Sequence, residues 1–109
     1  MTISQALISL NSFPIPDLFI EKVGVERDLT ITEDYTSAIA VSSAFELATA
    51  DVYMWLSKQP SIVEQETGIN QLGNIKDSFI DLANAIYAKY NDPKFTGRTY
   101  GFIGENFNG

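Results

Sequence analysis

The sequence predicts an all-α fold: a small bundle of four helices around one long central helix, with a short loop or hairpin at residues 61–74 and an extended C-terminal arm. Three observations carry that reading. Apolar residues recur at three- and four-residue spacing in four separate stretches. Proline punctuates the intervals, at Pro14 and Pro16, at Pro60 and at Pro93. The final 18 residues, DPKFTGRTYGFIGENFNG, lose the periodicity altogether. Residues 1–91 are therefore expected to form the helical domain and 92–109 the arm.

Thr2 and Gln5 make a T-x-x-Q capping box, after which Ile3, Leu7 and Leu10 fall on one face of a short helix that stops before Pro14. Pro16 suits the first position of a second helix over 16–26, with Asp17 beside its positive end. Leu18, Phe19, Val23 and Val25 would be its buried side, and Gly24 weakens its last turn. Residues 28–32 read as a connector, with Thr32 or Asp34 as the cap of the next helix. That third helix, over 33–58, would span roughly 39 Å at 1.5 Å per residue. Its middle is small and apolar around most of its circumference, as in a helix with neighbours on several sides. Val41, Phe45 (or Ala44), Ala48, Val52 and Trp55 follow helical spacing, and Pro60 ends the run. Residues 61–74 hold the apolar residues Ile62, Val63, Ile69 and Leu72 around Thr67-Gly68, which suits a small hairpin or an exposed loop; a lone hairpin needs support. The last helix, over 74–90, sets Ile75, Phe79, Leu82, Ala83, Ile86 and Tyr90 on one face. Trp55, Phe45, Phe79, Leu82 and Ile86 are expected in one core.

Composition excludes several functions. The chain has 109 residues and a formal charge of −7, and its arm is neutral. A body this acidic, with no basic stripe, repels phosphate backbones, so no nucleic-acid partner is expected. There is no Cys and no His, which removes disulfides, thiolate metal sites and the commonest acid/base group. No stretch of 18 apolar residues and no basic leader is present, so the chain is expected to be soluble and free of membrane. No metal or cofactor is expected, and no catalytic residue is assigned. Asp77 and Asp81 read as a solvated helix face. The acids at 26, 28, 33 and 34 lack the spacing of a calcium loop. A Ser, Thr or Tyr nucleophile would have only lysine as its base. Glu46 and Asp51 stand out because they interrupt an apolar helix, where a charge must face water, a partner or a basic side chain.

The arm is the expected partner-binding element. Extended, its 18 residues reach roughly 60 Å at about 3.3 Å each. Phe95, Tyr100, Phe102, Ile103 and Phe107 are large anchors among glycines, with Arg98 as a charged contact; Ile62, Val63 and Ile69 of the loop join them. Burying five such anchors is worth on the order of 10–15 kcal/mol gross. Fixing each backbone unit costs roughly 1–2 kcal/mol, so backbone hydrogen bonds to the partner are needed as well.

The order of short helix, PIPDLFIEK corner, long helix ending ATADVYMWLSKQP and helix ending AIYAKYNDP resembles a family of small helical proteins of Bacteroidetes phages and prophages. The likeness covers about residues 2–92 and is most specific at Ala48-Thr-Ala-Asp51-Val-Tyr-Met-Trp55-Leu-Ser. That family is similar in size and layout to the head-to-tail connector, or adaptor, proteins of long-tailed phages. The resemblance implies a structural virion protein at the head-tail junction, assembled in the host cytoplasm. It implies a ring of about twelve copies below the portal protein, with the arm on the portal and the loop toward the next tail component. Other expectations are a different tail-completion or baseplate component, or a small acidic regulatory module that binds one protein.

Overall fold

A computed structural model of the chain describes residues 1–59 and 75–95. Every regular element among them is a helix: α1 (Ile3–Ile8), α2 (Asp17–Glu26), α3 (Ser37–Ala40), α4 (Ser43–Ser57) and α5 (Ile75–Lys89). The capping box opens α1 as its sequence dictates, with the Gln5 amide donating to Thr2 Oγ1 at 3.1 Å and the Thr2 amide to Gln5 Oε1 at 2.8 Å. The next two helix-end donors, the amides of Ile3 and Ser4, reach the carbonyls of Glu33 and Ile31, both at 2.9 Å. The segment after α2 therefore lies across the start of α1, and a single antiparallel bridge joins Thr2 to Asp34. Donors that every helix leaves unpaired at its N-terminus are satisfied here by a connector.

Pro16 caps α2 from outside the helix, and Asp17 is its first residue. The buried stripe is Ile20, Val23 and Gly24. The expected inward positions Leu18 and Val25 are 77% and 82% exposed, a correction to the face read from the sequence. Its cause is Gly24, where a Cβ would stand 2.6 Å from Ile31 Cγ2. The connector packs directly on the glycine, and this turns the 20/23/24 stripe inward. Gly24 is thus a site of close approach, where the sequence suggested only a weak last turn.

The single helix expected over 33–58 is two. Thr36, not Thr32 or Asp34, caps α3 by accepting from the Ile39 amide at 3.2 Å. Ser42 then ends α3 and starts α4 with one hydroxyl, which donates to the Ile39 carbonyl at 2.7 Å and accepts from the Phe45 amide at 3.2 Å. A serine that can bond local backbone groups competes with helix continuation, and here it wins. Val41, assigned to the buried face of a continuous helix, sits at the break and is 73% exposed.

Helix α4 remains central. One cluster of buried residues joins Ile3, Leu7, Ile20 and Val23 to Phe45, Val52 and Leu56. A second, smaller cluster on α4 and α5 holds Ala50, Ala83 and Tyr87. The single core expected of Trp55, Phe45, Phe79, Leu82 and Ile86 is therefore divided. Phe45 is buried in the first cluster, with Trp55 and Phe79 at its edge; Ile86 borders the second; Leu82 is 48% exposed. Contacts of Glu46 with Lys89 and Tyr90, Asp51 with Tyr87, and Tyr53 with Phe79 show that α4 and α5 run antiparallel. Two small residues, Ala50 and Ala83, are fully buried in the cluster these helices share, and the inward stripe of α5 becomes Phe79, Ala83 and Tyr87, displacing Leu82.

Candidate functional site

Two helix ends build the site. Helix α2 closes in a Schellman motif: the Leu29 amide donates to the Gly24 carbonyl at 2.8 Å, the Asp28 amide to the Val25 carbonyl at 3.3 Å, and Asp28 takes φ 59°. Helix α5 closes in the same way, with the Asp92 amide on the Tyr87 carbonyl at 2.9 Å, the Asn91 amide on the Ala88 carbonyl at 3.2 Å, and Asn91 at φ 55°. Asp and Asn are the side-chain-bearing residues that best tolerate this left-handed conformation. The first motif presents Arg27, the second Asp92, and the two meet beside Asp51 in the middle of α4.

Arg27 grips Asp51 with two parallel hydrogen bonds, Nε to Oδ2 at 2.7 Å and Nη2 to Oδ1 at 2.9 Å, while Nη1 holds Asp92 Oδ2 at 2.7 Å. The side chains of Arg27, Asp51 and Asp92 are 11%, 5% and 9% exposed. The Tyr87 hydroxyl donates to Asp51 Oδ1 at 2.6 Å, and its ring lies under the guanidinium. Lys94 closes the cluster: its amide donates to Asp92 Oδ1 at 2.9 Å, and Nζ stands 3.4 Å from Asp51 and 3.3 Å from Glu26. Two cations balance two buried carboxylates. Such a fork-to-carboxylate arrangement fixes orientation as well as charge.

The electrostatics follow the contacts. Hydrogen bonding from Arg27 holds the Asp92 carboxyl below its ordinary value, and the bond to Asp51 holds the Arg27 guanidinium protonated more firmly still. Burial, followed by the bond to Asp51, pushes the Tyr87 phenol well above its usual range. On the far side of α4, Glu46 accepts from the Tyr90 hydroxyl at 2.5 Å and from Lys89 at 3.0 Å, and both lower its pKa. Of the readings open to Glu46 and Asp51, the ion pair holds for both. Asp77 and Asp81 are exposed on α5. No cluster of three or more acids could hold a metal among the described residues, and no described helix is long and apolar enough to cross a membrane.

Of the expected partner-binding residues, Phe95 is described: it is 41% exposed, its amide bonded to the Asp92 carbonyl at 3.0 Å. Arg98, Tyr100, Phe102, Ile103 and Phe107 of the arm, and Ile62, Val63 and Ile69 of the loop, lie outside the described residues. The first residues of the arm, 92–95, are non-helical and are tied to the helical body through Asp92 and Lys94. Sequence reasoning missed Arg27, which sits in an acidic stretch, and Tyr87, one place off the apolar stripe. The signal available was Asp51, a charge that an apolar helix must neutralise.

Beside the cluster, α2, the C-terminal half of α4 and Lys94 enclose a groove of about 250 Å³ floored by Phe19, Met54 and Trp55. The Phe19 and Trp55 rings stack with centroids 5.1 Å apart. A second groove of about 460 Å³ lies between α4 and α5, where Leu10, Phe45 and Ile86 meet the Glu46–Lys89 pair.

No family model, curated protein or solved structure matches this chain.

Proposed function

We propose that the chain is a structural virion protein, a head-to-tail connector subunit that forms a ring below the portal of a tailed phage. In this reading a helical bundle around α4 is the body of each subunit, and the arm is its grip on the portal. The observation that carries it is the fastening of the arm's root. Arg27 and Lys94 tie residues 92–95 to the end of α2 and to α4, so a pull on the arm is transmitted into the body. Beyond that root the sequence supplies aromatic anchors on a glycine-rich backbone, a composition suited to lying along another protein's edge or groove. The exposed apolar side chains Leu18, Val25 and Val41 offer further contact area on the body.

The test is electron microscopy with mass spectrometry on complexes captured through an N-terminal tag from phage-producing cells. The full chain is compared with one truncated after Phe95, which keeps Asp92 and Lys94. Rings containing a portal protein, lost on truncation, are the expected result. Rings with a baseplate or tail-completion protein would reassign the subunit within the virion. A small complex with one partner would replace the connector with a regulatory module.

A further inference from the structure

The groove over Trp55 gathers the cations of an acidic chain. Three of the seven basic residues, Lys22, Lys58 and Lys94, line it, and Arg27 grips Asp51 beside it. Against these four stand three carboxylates, Glu26, Asp51 and Asp92. One positive charge is left over, on a chain whose formal charge is −7. The pairing shows where it sits. Arg27 is matched by Asp51 and Asp92, and Lys22 and Lys94 meet Glu26 at 2.7 and 3.3 Å. The Lys58 ammonium is exposed and has no partner among the described residues, and the indole N–H of Trp55 meets no acceptor among them.

Beside these two donors lies an aromatic floor. Trp55 stacks on Phe19 with centroids 5.1 Å apart and meets Phe13 edge-on at 5.9 Å, yet it stays half-buried. A tryptophan clamped by two rings and edged by charge has the make-up of a binding hot spot. The ligand that completes it supplies what the groove lacks, an acceptor for the unpaired donors and an apolar group for the floor. A phosphate backbone fits poorly, because it needs several free cations and is repelled by the body's net charge. A single carboxylate matches a single spare ammonium. The volume of about 250 Å³ equals the liquid share of roughly eight waters at about 30 Å³ each, room for one large side chain and a carboxylate.

We propose that this groove docks a segment of a partner protein in which an aspartate or glutamate stands beside a large apolar residue, with the carboxylate on Lys58 and the apolar side chain against Trp55 and Met54. Charge complementarity selects the acidic residue, and the stacked rings select its neighbour. The assignment goes beyond the connector reading and does not depend on it, since any partner protein can present such a segment.

The test titrates the purified full-length chain with the capped dipeptide acetyl-Phe-Glu-amide, and with acetyl-Phe-Gln-amide and acetyl-Phe-Lys-amide for comparison. Trp55 is the only tryptophan, so its emission and its single indole N–H resonance both report on the floor. A saturable change in both is expected with the Glu peptide, several-fold weaker with the Gln peptide and weaker again with the Lys peptide. Added salt should narrow these differences, because Lys58 is exposed. Lys58→Glu should reverse the order, so that the Lys peptide binds best. Circular dichroism checks that the variant remains helical; if it does not, Lys58→Gln serves, and it should erase the preference. No saturable change, equal binding of the three peptides, or a preference indifferent to Lys58 would each overturn the proposal. So would sedimentation in which the natural chain self-associates and Lys58→Glu does not, which would assign the groove to a second copy. None of these outcomes bears on whether rings form with a portal.

Discussion

Gly24 shows how much one missing side chain can fix. Exchanging glycine for alanine inside a helix ordinarily stabilises it by about 1 kcal/mol. Here the added methyl would meet Ile31 Cγ2 at 2.6 Å and the Leu29 carbonyl at 3.3 Å. Overpacking of that kind costs about 1–3 kcal/mol, so Gly24→Ala should lower stability in urea titration despite its helix propensity. Asp51 is the other residue on which much turns. Its replacement by alanine strips Arg27 of a bidentate partner and Tyr87 of its acceptor. Breaking a buried pair costs about 3–5 kcal/mol, and because Asp92 still faces Arg27 the loss in Asp51→Ala should fall near the lower figure. A loss no larger than that of an exposed change such as Asp77→Ala would mean the cluster contributes nothing. That Asp51 must face water, a partner or a basic side chain was legible, because it interrupts the apolar run ATADVYMWL. Which residue answers it was not, since Arg27 is distant in sequence and reaches α4 only through the turn at Asp28.

At the level of elements, the sequence reports helix content and capping well, and helix rotation poorly. The Thr2–Gln5 box and the extent of α5 follow from local chemistry, which acts within one turn. The break at Ser42 depended on whether a hydroxyl would bond its own backbone, and serine is compatible with either outcome. The rotations of α2 and α5 were set by contacts between elements: Gly24 against Ile31, and Ala83 with Tyr87 against α4. Periodicity alone cannot choose between adjacent stripes when both contain apolar residues. The two Schellman ends permit a direct check. Asn91 holds φ 55° at some cost, which glycine would not incur. Asn91→Gly should leave the Arg27–Asp92 pair in place and keep or slightly raise the melting temperature, whereas Asn91→Val should lower it by several degrees, because a β-branched residue is poorly accommodated there.

For the whole molecule, the same pairs set the response to pH. Asp92, Glu26 and Glu46 all have lowered pKa values when folded. The unfolded chain therefore binds protons first as pH falls. The stabilisation is complete above the unfolded carboxylate values near pH 4, and it is lost as pH drops through the lower folded values. Urea midpoints measured from pH 6 to pH 2.5 should fall over that acidic range, and Asp92→Asn should flatten the decline because it is the most buried of the three. An identical slope in the variant would assign acid sensitivity to other groups. The proposed connector role also belongs to this scale: ring formation and portal binding are properties of many copies, and no single residue of the chain spells them out.

The Arg27–Asp92 pair joins positions 65 apart in sequence. It cannot form until α2, α4 and α5 have come together and both helix ends have closed, so it should be absent from the folding transition state. Interactions of that kind act on the rate of escape from the native state and leave the rate of entry nearly untouched. In stopped-flow measurements Asp92→Asn should shift the unfolding limb of the chevron upward while the refolding limb stays in place. The bond that fastens the arm's root would then act as a latch, engaging late and setting the lifetime of the folded subunit.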